Sequence, residues 1–127
     1  MSAQLGSDFR DLKVWQVCRD LRVVIWRLCK GFPSEERFRL ANQMIRASRS
    51  CTANIAEGYG RFHFQENIQF CRQSRGSLFE LFDHVMVAEE CEYIGSEEKD
   101  KLIEHIIPAI RLLNGYIKYL HGRKDSK

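Results

Sequence analysis

The stretch "VWQVCRDLRVVIWRLCKGFPSEE" (residues 14–36) decides the fold. Val14, Cys18, Leu21, Ile25, Leu28 and Phe32 follow one another by four and three residues in turn, the period of helices packed nearly parallel in a bundle. Gly31 closes the pattern, Pro33 cannot continue it, and Ser34 is placed to cap the next helix. The spacing predicts a first helix over about residues 12–30.

The same rhythm continues outward from this stretch. A second helix is expected over about 35–58, with Leu40, Met44, Ala47, Cys51 and Ile55 as its seam and Gly58 and Gly60 as its stop. Its companion positions Ala41, Ile45, Ser48 and Thr52 are small or β-branched, so a neighbouring backbone can come close. A third, over about 64–93, carries Phe64, Ile68, Cys71, Leu78, Phe82 and Val85. A further seam of Phe70, Leu81 and Ala88 widens its apolar face and hints at oligomer contacts. After Gly95, Ser96 with Glu97 and Glu98 opens a fourth helix over about 97–121, in which Pro108 is expected to form a kink. Four helices joined by short loops predict an all-α, antiparallel up-down four-helix bundle over residues 11–121. Residues 1–10 read as a partly disordered arm, and 122–127 as a basic tail.

Composition bounds the function. The 127 residues make one domain with an ordinary globular balance, 44% hydrophobic and 29% charged. No apolar run approaches the roughly 20 residues that cross a bilayer, and the first residues hold no apolar signal core, so a cytoplasmic protein with no membrane partner is expected. Five cysteines, an odd number with no CxxC pair, suit buried thiols in a reducing compartment and not a disulfide framework or zinc site. Net charge is only +3, yet Arg10, Lys13, Arg19, Arg22, Arg27 and Lys30 crowd residues 10–30 against Asp11 and Asp20. Positive charge is local.

A polar line runs along helix two through Gln43, Arg46, Ser50, Asn54, Glu57 and Arg61, and another along helix three through Gln69, Arg72, Gly76, Glu80 and Asp83. Level counting from a turn near residue 61 puts Arg46 opposite Gly76 to Glu80, which predicts an Arg46–Glu80 ion pair. Gly76 costs about 1 kcal/mol in a helix interior, so either close approach of Ala47 or room for the Arg46 guanidinium should account for it. Arg75 falls on the apolar seam and needs an acceptor, either Asp20 or a neighbouring subunit. Two readings stand side by side. In one, Asn54, Glu57, Arg75 and Glu80 form a structural polar network, with Gly58, Gly60 and Gly76 as helix stops or close-packing points. In the other, Arg46, Arg49, Arg61 and Arg72 line a nucleic-acid site, Arg61 being freest to meet a phosphate.

Five ordered words, "DLKVWQ" (11–16), "FPSEERF" (32–38), "QMIRAS" (43–48), "NIAEGYGR" (54–61) and "RGSLFEL" (75–81), resemble the family named for the 23S rRNA intervening-sequence protein. Its distant relatives include the accessory variability determinants of diversity-generating retroelements. The resemblance spans about residues 9–120. It implies a small cytoplasmic bacterial protein, a homopentameric ring of bundles with a positive surface proposed to bind nucleic acid, and no demonstrated enzymatic activity. Arg46, Asn54, Glu57, Gly58, Arg61, Arg75, Gly76, Ser77 and Glu80 match its motif. The chain departs from it at His63, a poorer cap where serine is common, and at Gln65, where lysine is common.

No catalytic residue, cofactor or metal site is expected. Arg75 to His84 and Arg111 to His121 are too far apart for a helical-bundle ribonuclease motif. His84 and His105 share a level near Glu80, but three scattered ligands are a weak case for metal. RNP aromatics, a GXXG clamp and a zinc finger are all missing, so recognition of structured RNA or DNA by phosphate and shape is expected. The alternative is a protein-interaction module docking a ribosomal or polymerase partner.

Overall fold

A computed structural model describes residues 7–125. Most of the expected N-terminal arm and the end of the basic tail lie outside the described residues. The chain forms a 3₁₀ turn (Phe9–Asp11), α1 (Lys13–Cys29), a second 3₁₀ turn (Ser34–Glu36), α2 (Leu40–Gly60), α3 (Phe64–Glu90) and α4 (Ser96–Asp125), with no strand among the described residues. Bonds between helices give the up-down order. Arg22 reaches Thr52 across α1 and α2, Ser77 reaches Ser50 across α2 and α3, and Asn67 and Arg75 reach Tyr116 and Asn114 across α3 and α4. In each pair of helices the chain directions oppose.

The expected seams meet in one core. Leu21, Ile25, Met44, Ile55, Ile68, Leu78, Leu81, Ile106 and Leu113 are closed to solvent. Leu81 and Ala88, read as an outward seam, are buried within the chain, because α3 packs against both α2 and α4 and needs two apolar flanks. They give no support to an oligomer contact. Four cysteines are buried and Cys91, at the end of α3, is exposed; all are free thiols. Burial pushes Cys29 up to about 11 and Cys71 up to about 12.

Helix ends are where the sequence reading needs correction. α2 begins at Leu40, because the chain first makes the 3₁₀ turn and Arg39 leaves the helical region at φ −118°, ψ −111°. The cap is Glu36 and not Ser34. Its Oε1 accepts the Leu40 N–H at 3.1 Å, while Oε2 accepts the Tyr93 hydroxyl at 2.6 Å. The Tyr93 hydrogen bond holds the Glu36 carboxyl below its ordinary range and pushes the Tyr93 phenol up to about 12. Phe32 lies 5.4 Å from the Tyr93 ring, so the two loops at this end of the bundle are fastened together.

Neither Gly58 nor Gly60 makes the turn after α2. Both are helical, and Phe62 takes the left-handed conformation at φ 55°. At the end of α3 the left-handed residue is Glu92, φ 63°, with Tyr93 N–H bonded to Ala88 O and Glu92 N–H to Glu89 O. That is a Schellman closure built without glycine, and it ends α3 three residues before the expected 93. α3 starts after His63 with no side-chain cap, as the departure at that position implied. α4 is one continuous helix, with Pro108 on its exposed side, where the carbonyl freed one turn earlier can meet water. It runs to Asp125, so part of the expected tail is helical.

Candidate nucleic-acid interface

The polar lines on α2 and α3 meet, with partners different from those expected. Ser50 is the hub. Asn54 Nδ2 donates to its carbonyl at 2.9 Å and to its Oγ at 3.0 Å, and Ser77 Oγ donates to the same Oγ at 3.0 Å. One turn away, Ser74 Oγ donates to Cys51 O at 2.8 Å inside the core. Hydroxyls therefore fix the register of the hairpin, and they do so at the small positions where two helices can approach.

Arg46 and Glu80 line one groove of about 400 Å³ with Gln43, Ala47 and Ser50, but they form no ion pair. Glu80 instead takes His84 one turn along α3, at 3.1 Å, and Arg46 is left exposed without an ionic partner among the described residues. Local geometry wins because a pair four residues apart on one helix needs no alignment between helices. Arg75 donates to Asn114 Oδ1 at 2.8 Å, so its acceptor comes from α4 and not from Asp20. His84 and His105 are split between grooves: His84 pairs with Glu80, while His105 lines the cleft between α1 and α4. No group of three or more metal-ligating side chains is assembled among the described residues.

The glycines divide by what surrounds them. A Cβ on Gly58 would stand 2.7 Å from Asn67 Oδ1 and 2.9 Å from Phe70 Cβ, so this residue is a close-packing point between α2 and α3. Gly60 and Gly76 have nothing within 4 Å of an added Cβ. Gly76 is exposed and makes room neither for Ala47 nor for a paired Arg46. Gly76→Ala is accordingly expected to stabilise the chain by about 0.5–1 kcal/mol, the helix-propensity difference. A urea titration showing a raised midpoint at unchanged slope would bear this out, and a lowered midpoint would mean that this surface is covered.

The four arginines read as a nucleic-acid site do not converge. Arg61 bonds Glu57 at 2.9 Å, lies 3.7 Å from Glu66 and stands 5.2 Å from the Phe70 ring centroid. Two carboxylates against one guanidinium make it the lock of the α2–α3 turn and the least free of the set. Arg72 is exposed on α3 without an ionic partner among the described residues, on a different face from Arg49. Arg49 turns toward α1, where its guanidinium lies 5.5 Å from the Trp26 ring.

Beside that contact lies a face the sequence reading missed. Trp15, Arg19, Arg22, Trp26 and Lys30 follow at intervals of four, three, four and four, so tryptophans and cations share one stripe of α1 that ends at its C-cap, Lys30. Arg19 and Arg22 stand 5.7 and 5.9 Å from Trp15, and Lys30 stands 5.0 Å from Trp26. Phe9 holds Trp15 edge-on at 5.2 Å, and Arg22 donates to Thr52 Oγ1 at 2.9 Å. Arg19 is partly neutralised by Asp20 at 3.0 Å. Lys30 and Arg49 have no carboxylate partner among the described residues. The signal is present as spacing: the run of charge is plain along the sequence, and its phase with the tryptophans shows once positions are counted by helical turn.

The fold is an all-α bundle with one basic, tryptophan-bearing face. Residues 10–115 match the model of the family described as 23S rRNA-intervening sequence protein, which is most of the chain. The chain belongs to the 23S rRNA-intervening sequence protein family. A crystal structure of a protein of unknown function from the S23 ribosomal protein family of Bacteroides thetaiotaomicron superposes with a TM-score of 0.77 at 23% identity, covering 83% of this chain and 95% of that one. At that identity the likeness shows the shared bundle. No curated protein matches the chain. No helix among the described residues is long and apolar enough to cross a membrane.

Proposed function

We propose that this chain is a non-enzymatic, cytoplasmic nucleic-acid-binding protein that contacts structured RNA through the basic face shared by α1 and α2. The observation that carries the reading is the set of cations on that face, Arg22, Lys30 and Arg49, none of them paired with a carboxylate among the described residues. Unpaired surface cations are what phosphates neutralise. Arg46 lies on the other side of α2, in the groove it shares with Glu80. Binding of this kind releases counterions, so the logarithm of the affinity should fall linearly with the logarithm of salt concentration, by about 0.9 per phosphate engaged. Titrating purified protein with 23S rRNA fragments between low and high salt tests it: a steep decline is expected, and no binding, or binding indifferent to salt, removes the reading.

The assembly belongs to the same proposal. A homopentamer, implied by the family resemblance, would gather five such faces. Phe79, 54% exposed, and the half-buried Phe82, Met86, Ile103 and Ile107 supply an apolar strip on α3 and α4 for contacts between copies. A second reading, a protein-interaction module for a ribosomal or polymerase partner, is favoured by Phe38 and Phe62, 83% and 88% exposed at loop positions.

A further inference from the structure

Trp26 is 44% exposed on a helix that buries its other flank completely at Leu21 and Ile25. Two cations stand over the one indole, Lys30 at 5.0 Å and Arg49 at 5.5 Å. Their mutual repulsion is relieved by no carboxylate among the described residues. Beside the ring opens a groove of about 400 Å³, lined by apolar Phe32, Ala41 and Ile45 and by the cations Lys30 and Arg37. Arg37 is likewise without a carboxylate partner among the described residues, its guanidinium lying 5.8 Å from the Phe38 ring.

The site thus asks for a flat apolar body that carries negative charge beside it. Pure phosphate contacts would leave the exposed indole and the apolar lining unused, and a duplex keeps its base faces hidden. An unpaired nucleotide has both features: a π-face for the tryptophan and flanking phosphates for cations. The volume lies in the range of small-molecule sites, roughly 300–1,000 Å³.

We propose that the groove beside Trp26 takes an unpaired nucleobase of a bound strand, stacked on the indole, with its flanking phosphates held by Lys30, Arg49 and Arg37. This rests on the nucleic-acid reading above and adds to it that single-stranded or looped segments are preferred over continuous duplex. Lys30 and Arg49 then leave the indole for the phosphates, and the incoming base stacks on a ring face they vacate.

The test measures fluorescence anisotropy of the full chain with a ten-nucleotide oligoadenylate and with a blunt RNA duplex of the same length. Trp26→Leu should weaken oligoadenylate binding about tenfold, the loss of one stacked base, while duplex affinity stays within about twofold because its phosphate contacts remain. Trp26→Phe should retain most of the single-strand affinity, and circular dichroism of both variants should match the parent. If Trp26→Leu lowers both ligands alike, or neither, the stacking site is wrong while nucleic-acid binding stands. If the parent binds neither ligand, the broader reading falls and this one with it. If a mixed glutamate–tyrosine peptide occupies the groove while oligoadenylate leaves Trp26 fluorescence unchanged, the occupant is protein and the inference is overturned.

Discussion

Gly58→Ala should destabilise the chain by about 2 kcal/mol, although alanine is the better helix former by about 1 kcal/mol. The new methyl would stand 2.7 Å from Asn67 Oδ1, 2.9 Å from Phe70 Cβ and 3.2 Å from the Asn67 carbonyl oxygen. Two of these atoms are rigid: a Cβ and a backbone oxygen move only with their helix. The third is held as well, since Asn67 is buried, donates to the Tyr116 hydroxyl at 3.3 Å and accepts the Cys71 thiol at 3.5 Å. α2 and α3 must therefore part at the turn, loosening the Asn67–Tyr116 link to α4. Against a total stability of about 5–15 kcal/mol, that is a large fraction. Urea titration should show a lowered midpoint, opposite in sign to the result for Gly76→Ala. A neutral or stabilising outcome would mean that the helices do not approach at Gly58 as described.

Reversing charge on the basic face, with Lys30→Glu and Arg49→Glu together, should lower affinity for structured RNA at low salt by about a hundredfold or more. The salt slope should shrink by about two, one for each phosphate no longer neutralised. Both side chains are exposed and, among the described residues, engage only the Trp26 ring, so the fold should survive. The companion pair Arg111→Glu and Lys118→Glu changes net charge equally on the surface of α4 and should cost no more than a few-fold. Equal losses from the two pairs would assign binding to overall charge and overturn the placement on α1 and α2.

Gly58 lies within the motif words that match the family, whereas Lys30 and Arg49 lie between them. "NIAEGYGR" reads at first as a constellation of polar chemistry, and the structure resolves it into separate duties. Asn54 ties back to Ser50, Glu57 and Arg61 lock the turn with Glu66, and Gly58 lets α3 approach. Asn54, Glu57 and Arg61 are thus each already engaged within the hairpin. The open cations that stand over Trp26 lie instead on α2 and at the end of α1.

Much of the fold was legible because it depends on order along a single helix. Alternating steps of four and three residues set which side of each helix is apolar, and those sides, from Val14 to Leu120, are the ones buried. Boundaries were less legible, because a helix end is decided by a cap that folding delivers from elsewhere. Glu36 caps α2 while held by Tyr93, fifty-seven residues away in sequence. The polar pairs were the least legible. Whether Arg46 meets Glu80 depends on helix rotation and on whether a nearer partner, His84, takes the carboxylate first.

The candidate face shows the same division. Its α1 half, the phase of Trp15, Arg19, Arg22, Trp26 and Lys30, is fixed by spacing alone, because 3.6 residues per turn place them in one line whatever surrounds them. Its α2 half is a product of packing. Only the antiparallel contact of α1 with α2 carries Arg49 to the Trp26 ring and Thr52 to Arg22, joining residues that no local rule connects. Sequence by itself determined four amphipathic helices and the side each would bury. Tertiary structure decided which polar groups became partners and which cations were left without one, since pairing between helices depends on distances that no spacing along one chain contains.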